Sequence, residues 1–183
     1  DIQPAAKVLS ATAKLDPAMT SSVSNKYRIP VLDTELVERK ALMARLDQGL
    51  ARRLTLVSAH AGYGKTTAVA MWAHALTGRR RGALQAPLVA PVAWYSLDPD
   101  DDEFSTFATR LVRVLEAAAP GAFANIPTGL TVQTLNPAIF ADLVTESCLR
   151  LPDSIVLVLD DYHLLTTPAI HLAVNRLIQY ASD

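Results

Sequence analysis

The sequence predicts an α/β fold built on a parallel β-sheet. Two apolar runs, residues 92–97 and 155–159, have the length and composition of buried strands. A third run contains Leu54, Leu56 and Val57, and a glycine-containing turn and a helical stretch follow it directly. Helical patterns separate the later runs, and this alternation of strand and helix is typical of parallel sheets.

Helix signals and a change in composition divide the chain. Residues 1–25 are rich in Ala, Ser and Thr, and we expect them to form a flexible leader. Thr34 is the predicted N-cap of a helix that ends near Gly49. Residues 103–116 keep the 3.6-residue helical period most clearly, and a proline suits the first turn of a further helix over residues 137–149.

Composition excludes several classes of protein. Half of the 183 residues are hydrophobic, 19% are charged, and the formal net charge is −1. This balance argues against disorder over most of the chain and against a general nucleic-acid-binding surface. The single cysteine, Cys148, excludes a disulfide framework and fits a reducing compartment, so we expect a cytoplasmic protein. No apolar run approaches the roughly 20 residues that a membrane-spanning helix needs.

The glycine-containing turn predicts a phosphate-binding loop. Residues 59–67 read Ala-His-Ala-Gly-Tyr-Gly-Lys-Thr-Thr, close to the P-loop pattern G-x-x-x-x-G-K-[ST], with Ala59 in place of the first glycine. The glycines allow a tight bend whose N–H groups face an anion, and the following helix adds its dipole. Lys65 would contact the β- and γ-phosphates, and Thr66 would offer its hydroxyl to Mg²⁺. The predicted nucleotide-binding residues of this loop are Ala61, Gly62, Tyr63, Gly64, Lys65, Thr66 and Thr67.

Two carboxylates end the apolar run at residues 155–159. A buried strand that ends in paired acids is unusual unless a cation binds there, because burying unpaired charge is costly. Beside a P-loop, we expect Asp160 to hold Mg²⁺, directly or through water. Asp161 would orient or deprotonate the attacking water, with Lys65 as the second catalytic residue.

A run of acidic residues, 98–103, follows the strand at residues 92–97. Ligands of open α/β sheets bind at this end of the strands, so a ligand contact is one interpretation. Helix capping and solubility form the alternative.

Three segments together resemble the nucleotide-binding domain of MalT-like regulators, the large ATP-binding LuxR-type transcription activators of the STAND class of P-loop ATPases. They are residues 59–67, residues 92–98 (Val-Ala-Trp-Tyr-Ser-Leu-Asp) and residues 158–164 (Val-Leu-Asp-Asp-Tyr-His-Leu). In that family the loop usually reads A-P-A-G-[YF]-G-K-T-T, so Ala59 is expected and His60 is the departure. The resemblance covers about residues 27–183.

The resemblance implies a three-layer αβα P-loop NTPase domain of the ASCE type, of which residues 26–183 are the N-terminal part. Such a domain would bind ATP or ADP with Mg²⁺, and Arg39 would lie near the adenine. In the family's sheet, the strand that follows the Asp-Asp strand lies between it and the P-loop strand. The sequence ends in the helical stretch before that strand, so we expect a fragment with two unpaired sheet edges, prone to aggregate and poor as an ATPase.

The resemblance also implies a function as a regulatory switch. ATP and an inducer would favour an active, self-associating form, and slow hydrolysis would reset it. The partners would be the sensor and helix-turn-helix domains of a parent regulator, with no direct contact of this segment with DNA or membrane. Two alternatives are a nucleotide-binding scaffold that does not hydrolyse, and a P-loop small-molecule kinase in which the arginines of residues 79–81 contact an acceptor.

Overall fold

The computed structural model describes residues 26–32, 39–79 and 90–181. The expected leader over residues 1–25 and the predicted N-cap Thr34 lie outside these ranges. In chain order the elements are α1 (Lys40–Gly49), α2 (Lys65–Arg79), β1 (Val92–Ser96), α3 (Phe104–Ala118), α4 (Pro137–Leu149), β2 (Val156–Asp160) and α5 (Pro168–Tyr180). Three short 3-10 helices, Pro99–Asp101, Gly129–Val132 and Tyr162–Leu164, lie in the connections.

The two strands form a parallel pair, as the sequence predicts. Val92 lies opposite Val156, and the register continues to Ser96 opposite Asp160. The ladder extends by one bond past the strands, because the N–H of Leu97 donates to the carbonyl of Asp160 at 3.0 Å. The carboxyl ends of both strands therefore meet at one edge of the sheet, and the loops that follow them are neighbours.

Helices cover both faces of this sheet. Side chains alternate along β1, so Ala93 and Tyr95 pack into a core cluster with α3, α4 and α5. Trp94 points to the other face and packs with the buried side chains of α1 and α2. Trp94 is 1% exposed and Tyr95 is inaccessible, so β1 is buried on both faces.

The helix signals in the later part of the chain are confirmed. Helix α3 begins after Glu103, whose carboxylate accepts hydrogen bonds from the N–H groups of Ser105 and Thr106. Helix α4 has Pro137 in its first turn, and the side chain of Asn136 accepts from the next free N–H group.

The strand predicted around Leu54, Leu56 and Val57 is wrong. Residues 54–60 form no regular strand, Leu54 is 57% exposed and Leu56 is 82% exposed. A strand exists only where a neighbour completes its hydrogen-bond ladder, and β1 and β2 pair with each other but not with this segment. For the same reason β2, predicted as a buried strand, has one strand neighbour among the described residues, and its five residues are only half-buried.

Helix α1 also differs from expectation, because it begins at Lys40 with Arg39 in the N-cap position. Its predicted end at Gly49 is confirmed. No helix in the part of the chain that the structure describes is long and apolar enough to span a membrane.

Candidate functional site

The glycine loop, residues 59–66, makes the tight turn that the sequence predicts. Gly62 and Gly64 have φ angles of 79° and 72°, in the left-handed region that favours glycine. A Cβ atom built on either residue would meet no atom within 4 Å, so the backbone angle is what requires glycine here. The first N–H to carbonyl bond of α2 runs from Ala68 to Gly64 at 2.9 Å, so the helix starts directly at the turn.

Lys65 lies over the glycine loop. Its ammonium group donates to the carbonyl oxygens of Ala59 and His60 at 2.9 and 3.2 Å. The ring of His60 lies beside that of Tyr63, with centroids 5.8 Å apart, and both side chains are exposed. The loop therefore places a cation at the N-terminus of α2, where the helix dipole also favours an anion.

Thr66 and Asp160 connect the two sequence motifs. The hydroxyl of Thr66 donates to Oδ1 of Asp160 at 3.1 Å. Burial raises the pKa of Asp160, and the charge of Asp161 raises it further, while the Thr66 hydrogen bond and the Lys65 charge oppose this effect. A carboxylate whose charge is disfavoured in the fold is suited to a compensating cation.

Asp161 follows β2 in a left-handed conformation, with a φ angle of 57°. Its carboxylate is exposed, and Oδ1 lies 3.8 Å from Nδ1 of His163. Asp161 therefore lies at the carboxyl end of β2 with its carboxylate in contact with solvent.

The structure brings some of the predicted site residues together and leaves others apart. The structure brings Lys65, Thr66 and Asp160 together with Asp161 at the carboxyl edge of the sheet. Arg39 is exposed at the start of α1, and its side chain makes no hydrogen bond or ion pair within the described ranges. Ala61, Gly62 and Tyr63 form the exposed tip of the glycine loop, and Thr67 is half-buried in the first turn of α2.

The donors at this edge fit Mg²⁺ bound together with phosphate better than Mg²⁺ alone. The described residues contain no group of three or more His, Cys, Asp or Glu side chains that could hold a metal by themselves. Mg²⁺ is typically bound through one or two carboxylates plus phosphate oxygens and water. Thr66 and Asp160, whose side-chain oxygens are hydrogen-bonded at 3.1 Å, would supply the protein ligands of such an ion.

The acidic run at residues 98–103 caps and anchors neighbouring elements. Asp98 and Asp101 form a capping box around the 3-10 helix Pro99–Asp101, and Glu103 caps α3. Capping is therefore confirmed for Asp98, Asp101 and Glu103.

Sequence reasoning missed the most buried acid of the run. The carboxylate of Asp101 is inaccessible to solvent and accepts from the hydroxyl of Tyr95 at 2.6 Å. It forms ion pairs with Lys26, at 2.6 Å, and with Arg110. The position of Asp101 within a run of five acidic residues concealed this role, because such runs usually lie in solvent.

Comparison with known proteins supports the sequence resemblance. No protein-family model matches the chain. The HTH-type transcriptional regulator MalT of Cronobacter sakazakii is 31% identical over 164 residues, which is 88% of this chain. The chain spans 16% of the length of that relative. The resemblance to the nucleotide-binding domain of MalT-like regulators is thereby confirmed, and the chain is a MalT-like segment.

Proposed function

We propose that this chain binds ATP and ADP and serves as the nucleotide-dependent switch of a transcriptional regulator. The observation that carries this proposal is the hydrogen bond from Thr66 to Asp160, because it joins the glycine loop to the carboxylate edge of β2. The loop supplies a cation, Lys65, and two left-handed glycines, a backbone conformation in which successive N–H groups can face an anion. This combination suits a triphosphate with a bound divalent cation.

The predicted residues of the glycine loop and of the sheet edge have roles that fit their positions. Lys65 would exchange its loop carbonyl partners for the phosphates, and residues 61–67 would donate N–H groups and hydroxyls to them. Thr66 and Asp160 would hold Mg²⁺, which neutralises phosphate charge when it is bound. Asp161, exposed beside Asp160, would orient or deprotonate the water that attacks the γ-phosphate.

The fold proposed for the whole domain is a three-layer αβα P-loop NTPase of the ASCE type, starting near residue 26. Helices on both faces of the parallel pair support it. The wider role rests on the family: slow Mg²⁺-dependent hydrolysis in the cytoplasm would reset a switch, and sensor and helix-turn-helix domains of a longer regulator would read its state. Self-association in the ATP form belongs to the same proposal.

Nucleotide binding tests the core of the proposal. ATP, ADP and GTP are titrated with and without Mg²⁺ into the wild type, Lys65→Ala and Lys40→Ala. Lys40 is an exposed lysine at the start of α1 and serves as the matched control. We expect micromolar binding of ATP and ADP to the wild type and to Lys40→Ala, and loss of binding in Lys65→Ala. Equal affinities of the two lysine variants would contradict the proposed site.

Hydrolysis separates the switch from its alternatives. Phosphate release from ATP without an added acceptor supports the switch and contradicts a small-molecule kinase. Retention of intact ATP for hours by a protein with a native Asp161 supports the non-hydrolysing scaffold instead.

A further inference from the structure

The loop after β1 holds the loop after β2 at both ends. We name residues 161–167, between β2 and α5, the Asp161 segment. At its start, the N–H of Leu97 donates to the carbonyl of Asp160. At its end, Asp102 contacts Thr166 and Thr167, which lie 64 and 65 positions further along the chain. The Asp161 segment therefore spans two points that the neighbouring loop fixes.

Four hydrogen bonds join Asp102 to the two threonines. Oδ1 of Asp102 accepts from the backbone N–H groups of Thr166 and Thr167, each at 2.8 Å. Oδ2 accepts from the hydroxyl of Thr166 at 2.5 Å, and the hydroxyl of Thr167 donates to the Asp102 carbonyl at 2.7 Å. Thr167 is the N-cap residue of α5 but makes no side-chain cap within its own helix, because its hydroxyl is used by Asp102.

The loop that carries Asp102 is itself anchored in the core. The neighbouring residue, Asp101, is buried and pairs with Lys26 and Arg110, and it accepts from the Tyr95 hydroxyl. Because Asp101 is buried and hydrogen-bonded, it holds the loop in place, and Asp102 therefore holds the two threonines in a fixed position.

Asp161 depends on its backbone for its position. Its left-handed φ angle of 57° is uncommon outside glycine, although aspartate tolerates it better than most residues, and this angle sets the direction in which the side chain leaves the backbone. Oδ1 of its exposed carboxylate lies 3.8 Å from Nδ1 of His163, which is beyond hydrogen-bond distance. The side chain therefore points where the Asp161 segment directs it.

We propose that Asp102 is a positioning residue for Asp161. Through Thr166 and Thr167 it holds the Asp161 segment so that the Asp161 carboxylate faces the attacking water. This inference rests on the proposed ATP hydrolysis and adds a residue outside both phosphate motifs to it.

The test compares three variants in the natural full-length protein. In Asp102→Ala, kcat for ATP hydrolysis falls about tenfold to a hundredfold, because a small misplacement of a catalytic group has effects of this size. The affinity for ATP stays within about twofold, since the glycine loop is untouched. Asp102→Asn keeps kcat within about fivefold, because its amide oxygen can accept the same two backbone N–H groups. Asp100→Ala removes a charge from the same loop but none of the four bonds, and leaves kcat unchanged.

The same substitution made in an Asp161→Asn protein distinguishes the positioning of Asp161 from an effect on general stability. When Asp161 is already replaced by Asn, Asp102→Ala lowers the residual rate no further, because the two residues act on one step. If Asp102→Ala fails to fold, Thr166→Val removes the 2.5 Å hydroxyl contact alone and gives a smaller loss of kcat that also vanishes in the Asp161→Asn background.

Several outcomes would overturn the inference. They are an unchanged kcat in Asp102→Ala, equal losses in the Ala and Asn variants (a role of charge), and the same loss in the Asp161→Asn background. A wild type that binds ATP without releasing phosphate overturns this inference and leaves nucleotide binding intact. A wild type that binds no nucleotide overturns the proposed function, and the inference with it.

Discussion

The hydroxyl of Thr66 lies 3.1 Å from a carboxylate oxygen of Asp160, although 94 positions separate the two residues. The contact joins the first turn of α2 to the last residue of β2. Since Asp160 also pairs through its strand with β1, one hydrogen bond connects the glycine loop to the sheet. The glycine loop and the carboxylates at the end of β2 therefore lie together at one edge of the sheet.

Removing the Thr66 hydroxyl tests this connection. We expect Thr66→Ala to weaken Mg²⁺-dependent ATP binding by about tenfold, since a metal ligand or its partner typically contributes this much. Thr66→Ser keeps the hydroxyl and should remain within about twofold of the wild type. Calorimetric titration with and without Mg²⁺ measures both. An equal loss of affinity in EDTA would show that the hydroxyl acts on the phosphates and not on the cation.

Neutralising Asp160 should separate function from stability. Burial raises the pKa of Asp160, so the fold disfavours its charged form, and the unfolding free energy falls as pH rises through the folded-state pKa. Asp160→Asn removes that charge, and we expect unchanged or increased thermal stability at pH 7 together with loss of the Mg²⁺ effect on ATP affinity. A lowered melting temperature without ligand would contradict this reasoning.

The buried anchor Asp101 should be essential for stability. Asp101→Ala leaves Lys26 and Arg110 without their shared carboxylate, and breaking a buried ion pair costs about 3–5 kcal/mol. The control Asp100→Ala changes an exposed acid one position earlier and should stay within about 0.5 kcal/mol of the wild type. Urea unfolding measures both free energies. A loss of less than about 1 kcal/mol of unfolding free energy in Asp101→Ala would show that the ion pairs of Asp101 are not needed for stability.

Two residues of the acidic run should make the stability of the fold depend on pH in the acid range. Hydrogen bonds from Thr166 and Thr167 bring the pKa of Asp102 from 3.8 to about 2. Partial burial raises the pKa of Glu103, but hydrogen bonds from Ser105 and Thr106 outweigh it and bring the value from 4.5 to about 2. Because both folded-state values lie below the unfolded ones, their contribution is present above those unfolded values and is lost as pH falls toward 2.

Unfolding experiments across that range provide the measurement. We expect the unfolding free energy to drop as pH falls from about 4.5 to 2, and the drop to be smaller in Glu103→Gln. Asp100→Ala, which changes an acid without such bonds, should follow the wild-type curve. Parallel curves for all three proteins would contradict the assignment.

Local patterns predicted β1, β2 and helices α3 and α4, because each is encoded by residues close in sequence. The apolar run in β2 and the 3.6-residue period in α3 survive in the fold with shifts of one or two residues. Leu54 and Leu56 have equally good strand composition, yet they are exposed and unpaired with β1 or β2. Pairing depends on a distant neighbour, and no local pattern reports it.

The same limit applies to the site. Lys65 and Thr66 could be proposed from the P-loop pattern, and Asp160 from its place at the end of an apolar run. The structure brings Thr66 and Asp160 into contact. Asp102 could not, since its partners Thr166 and Thr167 lie on another loop and nothing in its own neighbourhood distinguishes it from Asp100. Its role follows from strand adjacency, which brings the two loops to one edge of the sheet.

The left-handed backbone of Asp161 limits which residues evolution can place there. Glycine, asparagine and aspartate tolerate this conformation, whereas β-branched side chains are strained in it by about 1–2 kcal/mol. A saturation library at position 161, selected for folding alone, should therefore be enriched in these three residues. Selection for phosphate release should retain aspartate alone. The first selection therefore tests the backbone conformation at position 161, and the second tests the chemistry of its side chain.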